Sequence, residues 1–184
     1  MKQSFVFSGS GGQGIMSAGI TLAQTAISMG KHATYLPEYG PEQRGGSAKC
    51  TVVISDEPII SPLPKCCDNL IVMNEQAYAK FGKNLKSGGV MIANTSRVTS
   101  EITRDDVTVV RVPADDIAVE LGNIKCANII LIGALIGAEA GIITEEAMLA
   151  SLDKKFASKK KEVLALNHAA LKKGVEYGRQ ALKA

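Results

Sequence analysis

Residues 4–29 read SFVFSGSGGQGIMSAGITLAQTAISM, and this stretch decides the fold. Its first five residues form a short apolar run that predicts a β-strand. Residues 15–29 are rich in Ala, Ile and Leu and predict an α-helix. Between them, Gly9, Gly11 and Gly14 follow the G-x-G-x-x-G spacing. A glycine-rich turn that leads from a strand into a helix is typical of the first βα unit of an α/β protein.

The alternation of strands and helices continues along most of the chain. Further strands are predicted at residues 33–36, 48–55, 70–73, 90–93 and 107–112. Further helices are predicted at residues 75–81, 115–121 and 127–140 and in a closing apolar seam that runs from Leu164 to Leu182. Pro37 is expected to end the second strand, and the alternating residues of 48–55 predict one buried face. The sequence therefore predicts an α/β fold, a three-layer α/β/α Rossmann-like domain with a mostly parallel sheet and a helical C-terminal part.

Composition excludes several classes of protein. The chain has 184 residues, enough for one domain, with 46% hydrophobic residues, a net charge of +3, only 4% aromatic residues and no Trp. Few aromatic side chains leave little for base stacking, so we expect no nucleic-acid partner. No segment reaches the roughly 20 apolar residues that a membrane-spanning helix needs. We expect a cytoplasmic protein with no membrane contact.

The glycine turn is the first candidate site, with Gly9, Gly11, Gly12, Gln13 and Gly14. Glycines at the start of a helix let an anion approach the free N–H groups and the helix dipole. The turn therefore predicts a bound phosphate or nucleotide. A tight turn that binds nothing, or one pressed against a partner chain, remains an alternative.

The second candidate site is the loop PEYGPEQRGG at residues 37–46. Its candidate residues are Glu38, Tyr39, Gly40, Pro41, Glu42, Arg44, Gly45 and Gly46. Arg44 can bind a carboxylate or phosphate through two hydrogen bonds, and Glu38 lies where a ribose-binding acid stands in a dinucleotide site. We interpret the loop as a site or interface, with an inert solvated loop as the alternative. If the first two strands are parallel neighbours, both loops lie at the same carboxyl edge of the sheet.

A complete catalytic set is missing from the sequence. There is no Gly-Asp-Gly thiamine motif, Walker lysine or G-x-S-x-G elbow, and the four cysteines form no C-x-x-C pair. No metal site is expected. The acidic pairs Asp105-Asp106, Asp115-Asp116 and Glu145-Glu146 are interpreted as charges at the starts of helices. The small residues Gly133 and Gly137, with Ala134 and Ala138 on the adjacent stripe, predict tight helix packing. His168 is interpreted as a packing residue.

Three stretches in combination resemble the gamma subunit of the 2-oxoacid:ferredoxin (acceptor) oxidoreductases. They read GSGGQGIMSAGITLAQTA, PEYGPEQRGGSAKCTVVISDEPIISP and DNLIVMNEQAYAKF, and together they lie within residues 9–81. The resemblance implies that residues 1–184 form a single gamma-type domain. It also implies a place in an enzyme that converts a 2-oxoacid and CoA to acyl-CoA and CO2 while it reduces ferredoxin.

The resemblance further implies a division of labour. Thiamine diphosphate, Mg2+, 4Fe–4S clusters and CoA are expected on the alpha, beta and delta-type subunits of the complex, and no cofactor is assigned to this chain. The chain is expected to be inactive alone and to supply an assembly surface or a CoA-side surface. The 2-oxoglutarate and 2-oxoisovalerate members are the most similar. The competing interpretation is a stand-alone Rossmann-type dinucleotide-binding protein, which the glycine turn and Glu38 favour.

Overall fold

The computed structural model describes residues 1–40, 46–138 and 142–183. Its strands are β1 (Lys2–Ser10), β2 (His32–Tyr39), β3 (Ser47–Ser55), β4 (Cys67–Val72), β5 (Leu85–Asn94) and β6 (Thr108–Val112). Its α-helices are α1 (Ile15–Ser28), α2 (Glu75–Phe81), α3 (Ala114–Glu120), α4 (Ala127–Gly137), α5 (Glu145–Phe156) and α6 (Lys161–Ala181). All six predicted strands are present, and none of the described helices is both long and apolar enough to cross a membrane.

The strands form one sheet in the order β2-β3-β1-β4-β5-β6. The pairs β1–β4, β4–β5 and β5–β6 are parallel, whereas β3 pairs antiparallel with both β1 and β2. Five strands therefore point the same way, which confirms the mostly parallel sheet. β1 and β2 are parallel but are not neighbours, because β3 lies between them. Only seven residues connect β2 to β3, too few for a parallel crossover, so the chain turns back as a hairpin.

Two predictions about the strands at this end of the sheet are wrong. Pro37 does not end β2, since it pairs with Cys50 and the strand continues to Tyr39. β2 is an edge strand with one neighbour, where a residue without an N–H group is tolerated. The strand at residues 47–55 is buried on both faces rather than one. α1 packs on one face, and on the other Val53 lines a hollow together with Ser61, Leu63 and Pro64.

Apolar clusters on the two faces of the sheet hold the domain together. The larger cluster joins one face to α1, α3, α4, α5 and α6. The smaller cluster joins the other face to α2 and to Val98 and Ile102 in the connection after β5. Helices thus cover both faces, as predicted, although the second helical layer is thin.

α4 and α6 pack with their backbones in contact. A Cβ atom at Gly133 would lie 2.2 Å from the carbonyl oxygen of Leu171, and one at Gly174 would lie 1.9 Å from that of Ile130. Gly137 and Gly178 repeat the pattern one turn further along. A Cβ atom at either position would lie 2.2 Å from a carbonyl oxygen of the facing helix. The small residues of α4 therefore serve tight packing, as predicted. The sequence did not indicate that Gly174 and Gly178 of α6 face these residues.

Candidate functional site

The glycine turn connects β1 to α1 at the carboxyl edge of the sheet. Gly12 and Gly14 have φ angles of +93° and +76°, a region that favours glycine because it has no Cβ. At Gly9, a Cβ atom would lie 2.5 Å from Oε1 of Gln13 and 2.9 Å from the side chain of Ile15. The three glycines are thus required by backbone conformation or close packing, which fixes the shape of the turn before any ligand binds.

The Gln13 side chain ties the turn to the end of β4. Its Oε1 accepts hydrogen bonds from the Ser10 N–H at 2.7 Å and from Nδ2 of Asn74 at 3.1 Å, and its Nε2 donates to the Met73 carbonyl at 3.2 Å. Asn74 Nδ2 also donates to Ser10 Oγ at 2.7 Å, while Asn74 Oδ1 caps α2 by accepting from the N–H of Ala77. Both ends of the Gln13 amide are therefore used within the chain, so Gln13 stiffens the turn.

The polar network continues to the ends of β5 and β6. Buried Asn94 donates to the Met73 carbonyl at 3.4 Å and to Asp115 Oδ1 at 2.8 Å, and it accepts from the Ala114 N–H at 3.0 Å. Arg97 Nε contacts the other oxygen of Asp115. Asp115 is in the first turn of α3, as predicted. In addition it holds Arg97 at the carboxyl edge, which the sequence did not indicate. The prediction of a helix start is wrong for Asp105-Asp106, which precedes β6 and not a helix, and Asp106 pairs with Arg104 instead.

The C-terminal end of the second loop contacts the glycine turn. The Gly11 N–H donates to the Gly46 carbonyl at 3.1 Å, and the Gly40 N–H donates to the Ser47 carbonyl at 2.7 Å. The two loops therefore meet at one edge, as predicted, although across β3 and not as neighbours. Tyr39 is 72% exposed beside them. The remaining predicted residues of this loop, Pro41, Glu42, Arg44 and Gly45, lie outside the described residues.

Glu38 does not lie where a dinucleotide site would need it. In such a site the acid stands at the end of the strand next to the glycine turn. Here β3 separates the two strands, and Glu38 Oε2 pairs with Lys49 Nζ at 2.7 Å across the β2–β3 ladder. The topology therefore disfavours the dinucleotide-binding interpretation.

A cleft of about 280 Å³ opens beside the glycine turn. It is lined by Gly12, Gln13, Gly14, Ser17, Met73, Arg97, Asp115, Ile124, Lys125, Ala127 and Asn128. Asn128, on α4, donates from Nδ2 to the Gly14 carbonyl at 3.0 Å, so α4 closes one wall of the cleft. Among the described residues, Lys125 has no carboxylate within ion-pair distance. The cleft therefore combines a free cation with the N-terminal N–H groups of α1, which no helical carbonyl accepts.

A lysine of α5 supports the first turn of α1 from behind the cleft. Lys155 Nζ donates to Ser17 Oγ at 2.7 Å and to Thr21 Oγ1 at 2.6 Å. Burial lowers the pKa of Lys155, since desolvation disfavours the ammonium ion. The contact places a second positive charge next to a residue that lines the cleft.

The described residues that line the cleft include no cysteine or histidine. Cys50 packs beneath α1, and burial raises the pKa of its thiol to about 12, so the thiol is protonated at neutral pH. Within residues 1–40, 46–138 and 142–183, no group of three His, Cys, Asp or Glu side chains is placed to hold a metal ion. The described residues of the cleft offer a lysine and helix N–H groups that can bind an anion or a partner chain.

Three asparagines of this site were missed in the sequence: Asn74, Asn94 and Asn128. Asn74 and Asn94 follow predicted parallel strands closely, and polar residues at the carboxyl ends of such strands are common in ligand sites of α/β proteins. That signal was available for these two. Asn128 lies in an apolar helix 114 residues from Gly14, and nothing local indicates their contact.

The chain is similar to known proteins over most of its length. The family model described as pyruvate ferredoxin/flavodoxin oxidoreductase matches residues 4–177. The 2-oxoglutarate synthase subunit KorC of Methanocaldococcus jannaschii is 39% identical over 151 residues, which cover 80% of each chain. The ketoisovalerate oxidoreductase subunit VorA of Methanothermobacter thermautotrophicus is 34% identical over 175 residues. That alignment covers 95% of this chain but only 36% of VorA, so the chain spans about a third of the length of this relative.

Two solved structures share the fold. One is a keto/oxoacid ferredoxin oxidoreductase gamma subunit from Geobacter sulfurreducens, with 30% identity, a TM-score of 0.85 and 98% of each chain covered. The other is a 2-oxoglutarate:ferredoxin oxidoreductase from Magnetococcus marinus with 2-oxoglutarate, coenzyme A and succinyl-CoA bound. It has 25% identity and a TM-score of 0.88, and covers 97% of this chain and 31% of the other.

Proposed function

The chain belongs to the pyruvate ferredoxin/flavodoxin oxidoreductase family, and on that basis we propose that it is the gamma subunit of a 2-oxoacid:ferredoxin oxidoreductase. The complex converts a 2-oxoacid and CoA to acyl-CoA and CO2 and reduces ferredoxin. The observation that carries this proposal is the end-to-end match to a gamma subunit of the same size, with 98% of both chains covered. The absence of a nucleophile or metal cluster among the residues around the described site is compatible with a subunit that is inactive alone.

We favour 2-oxoglutarate as the substrate, with 2-oxoisovalerate second. The KorC relative is 39% identical over most of both chains, and VorA is 34% identical over a longer alignment. The assignment is tested by supplying the assembled complex with 2-oxoglutarate, 2-oxoisovalerate or pyruvate and measuring CoA-dependent reduction of ferredoxin. The highest kcat/KM with pyruvate would contradict the assignment.

The companion subunits carry the chemistry in this proposal. Thiamine diphosphate with Mg2+ supplies the decarboxylation step, and 4Fe–4S clusters carry the electrons to ferredoxin. We assign these groups to alpha, beta and delta-type subunits and place the complex in the cytoplasm. Neither loop of this chain provides a Gly-Asp-Gly motif or a cysteine cluster for them.

The glycine turn and the loop at residues 37–46 form the CoA side of the subunit. CoA carries phosphate groups, and the first turn of α1 offers N–H groups together with the helix dipole. Lys125 adds positive charge at the same cleft, where Arg97 is paired with Asp115, and Arg44 belongs to the loop whose C-terminal end contacts the turn. The chain's own residues thus bind and orient the phosphates while other subunits hold the reacting groups.

The test compares variants of the assembled complex in a CoA titration. We expect Lys125→Glu to raise the KM for CoA about tenfold, equivalent to about 1.4 kcal/mol, with kcat little changed. Arg44→Ala is expected to act in the same direction. Lys159→Glu, an exposed lysine before α6, is the charge-matched control and should leave the KM unchanged. Unchanged CoA kinetics in both cleft variants, with intact assembly, would remove CoA from this surface.

A further inference from the structure

The sequence motif at residues 54–62 (ISDEPIISP) takes no part in the CoA-side surface. It begins at the end of β3 and leads into the segment 56–66, which has Pro58, Pro62 and Pro64 and contains neither helix nor strand. The segment lies at the edge of the sheet where β1, β4 and β5 begin, opposite the glycine turn. Ile60 is 100% exposed and Leu63 is 61% exposed. Exposed apolar side chains that lie close together are typical of a surface that another protein covers.

Next to this segment lies a groove made of two adjoining hollows. The first, of about 540 Å³, is lined by Lys2, Ser4, Val53, Ser61, Leu63, Pro64, Lys65, Cys66, Asp68 and Lys86. The second, of about 360 Å³, shares Lys2, Asp68 and Lys86 with the first and extends along the start of β5 to Val90. We call this surface the amino-edge groove.

The floor of the amino-edge groove is fixed by Asp68. Its Oδ2 accepts from the N–H and Oγ of Ser4 at 2.8 and 2.6 Å, and its Oδ1 lies 2.6 Å from Lys86 Nζ. Burial opposes the ionisation of Asp68, but the hydrogen bonds from Lys86 and Ser4 outweigh it and lower the pKa of the carboxyl. The floor is therefore an ionised, fully engaged carboxylate.

The rim of the groove is positively charged. Lys2 and Lys65 are exposed, and among the described residues no carboxylate lies within ion-pair distance of either. Glu57 is exposed nearby and partly offsets them, whereas Asp56 is held by Lys31 and the N-terminal ammonium. The groove thus presents apolar side chains beside unpaired ammonium groups, which complement a carboxylate-flanked apolar segment.

The segment is preorganised for binding. Its first residue, Asp56, is fixed by the Lys31 ion pair at 2.6 Å, and the Glu57 N–H donates to Ser55 Oγ at 3.1 Å. Within it, the Leu63 N–H donates to Ser61 Oγ at 3.4 Å, and three prolines restrict the backbone. A segment that is already ordered loses little conformational entropy when a partner covers it.

We propose that the amino-edge groove is the docking surface for another subunit of the complex, which inserts an apolar segment flanked by Asp or Glu. The proposal rests on the proposed function, because it requires that the chain works within a hetero-oligomer. Leu63 in the groove and the fully exposed Ile60 in the segment beside it supply the apolar contact, and Lys2 and Lys65 pair with the acidic flanks.

The experiment uses the tagged full-length chain co-expressed with the other subunits of its complex. Ile60→Asp is expected to reduce recovery of the companions at least tenfold. Val119→Asp, at a residue 64% exposed on α3 and outside the groove, should not reduce it. Lys65→Glu is expected to weaken recovery severalfold and to flatten its dependence on salt, with Lys159→Glu as control. Equal urea midpoints for all variants establish that each is folded.

The outcomes separate the two proposals. If the wild-type chain recovers its companions and Ile60→Asp and Lys65→Glu do so equally well, the docking surface is refuted and the subunit assignment stands. If the wild-type chain recovers no companion, both fail. If light scattering finds that the chain alone forms a dimer that Ile60→Asp dissociates, the groove belongs to a second copy and the proposal is overturned.

Discussion

Replacing Gly174 by alanine tests the backbone contact between α4 and α6. The new Cβ would lie 1.9 Å from the Ile130 carbonyl oxygen and 2.8 Å from the Ala134 nitrogen, both of which are backbone atoms that no rotamer change can move. Since Cβ atoms essentially never lie within 3.0 Å of such neighbours, the helices must separate by about 1 Å. Overpacking of this kind destabilises a protein by about 1–3 kcal/mol. Because the new Cβ meets backbone atoms, we expect a cost at or above the upper end of that range.

The gain in helix propensity offsets part of this loss. Alanine is better than glycine inside a helix by about 1 kcal/mol. We therefore expect Gly174→Ala to lower the free energy of unfolding by about 2 kcal/mol. For a chain of this length that corresponds to a fall in Tm of about 4–8 °C. Urea denaturation followed by circular dichroism measures the change through the transition midpoint, provided that the slope m is unchanged.

A matched control and a double variant make the test specific. Ala165→Ser adds one heavy atom at an exposed position of the same helix and should change stability by less than about 0.5 kcal/mol. Gly133→Ala creates the same kind of clash, with 2.2 Å to the Leu171 carbonyl. Because one separation of the helices relieves both clashes, Gly133→Ala with Gly174→Ala should cost less than the sum of the two. A Gly174→Ala chain as stable as the wild type would refute the contact.

Three further predictions concern other parts of the fold. Gln13→Ala should lower the free energy of unfolding by about 1–3 kcal/mol in urea denaturation, because it leaves the Ser10 N–H without its partner; an unchanged midpoint would contradict the role of Gln13 in the turn. The pKa of Asp68 is lowered in the folded chain, so its stabilisation is present above the unfolded pKa of about 3.9 and is lost as the pH falls. Asp68→Asn should therefore be less stable by about 1.5 kcal/mol at pH 7, and denaturation at pH 3 should show a smaller difference; a constant difference would argue against the ion pair. With a disulfide reagent at pH 8, Cys66 is expected to react first and Cys50 slowly, since Cys66 is exposed and burial raises the pKa of Cys50 to about 12. A fast phase that remains in Cys66→Ser would contradict this order of reaction.

Local patterns predicted the position of every strand but not its length. The apolar run at residues 4–8 became a strand over Lys2–Ser10, because β3 pairs with it residue by residue from Ser55 to Ser47. That pairing depends on a segment some 40 residues away in sequence. The direction of β3 could have been inferred, since the loop after Tyr39 is too short for a parallel connection.

The candidate site was also predictable only in its local features. The spacing of Gly9, Gly11 and Gly14 identified the turn, because Gly9 and Gly14 meet a local requirement of close packing or backbone conformation. The contacts that stiffen the turn join Gln13 to Asn74, 61 residues away, and Gly14 to Asn128, 114 residues away. These depend on how strands and helices are placed in three dimensions, which one sequence does not reveal.

β1 connects the two surfaces proposed for this chain. Lys2 at its beginning borders the amino-edge groove, and Ser10 at its end starts the glycine turn. At the usual rise per residue, the strand separates them by roughly 25 Å. A substitution at one end is therefore out of direct reach of the other, and the central strand between them is buried and paired on both sides. In these two proposals, ligand preference and subunit choice depend on opposite ends of β1. Transplanting the loops at its carboxyl end from a relative should therefore leave the assembly partners of the chain unchanged.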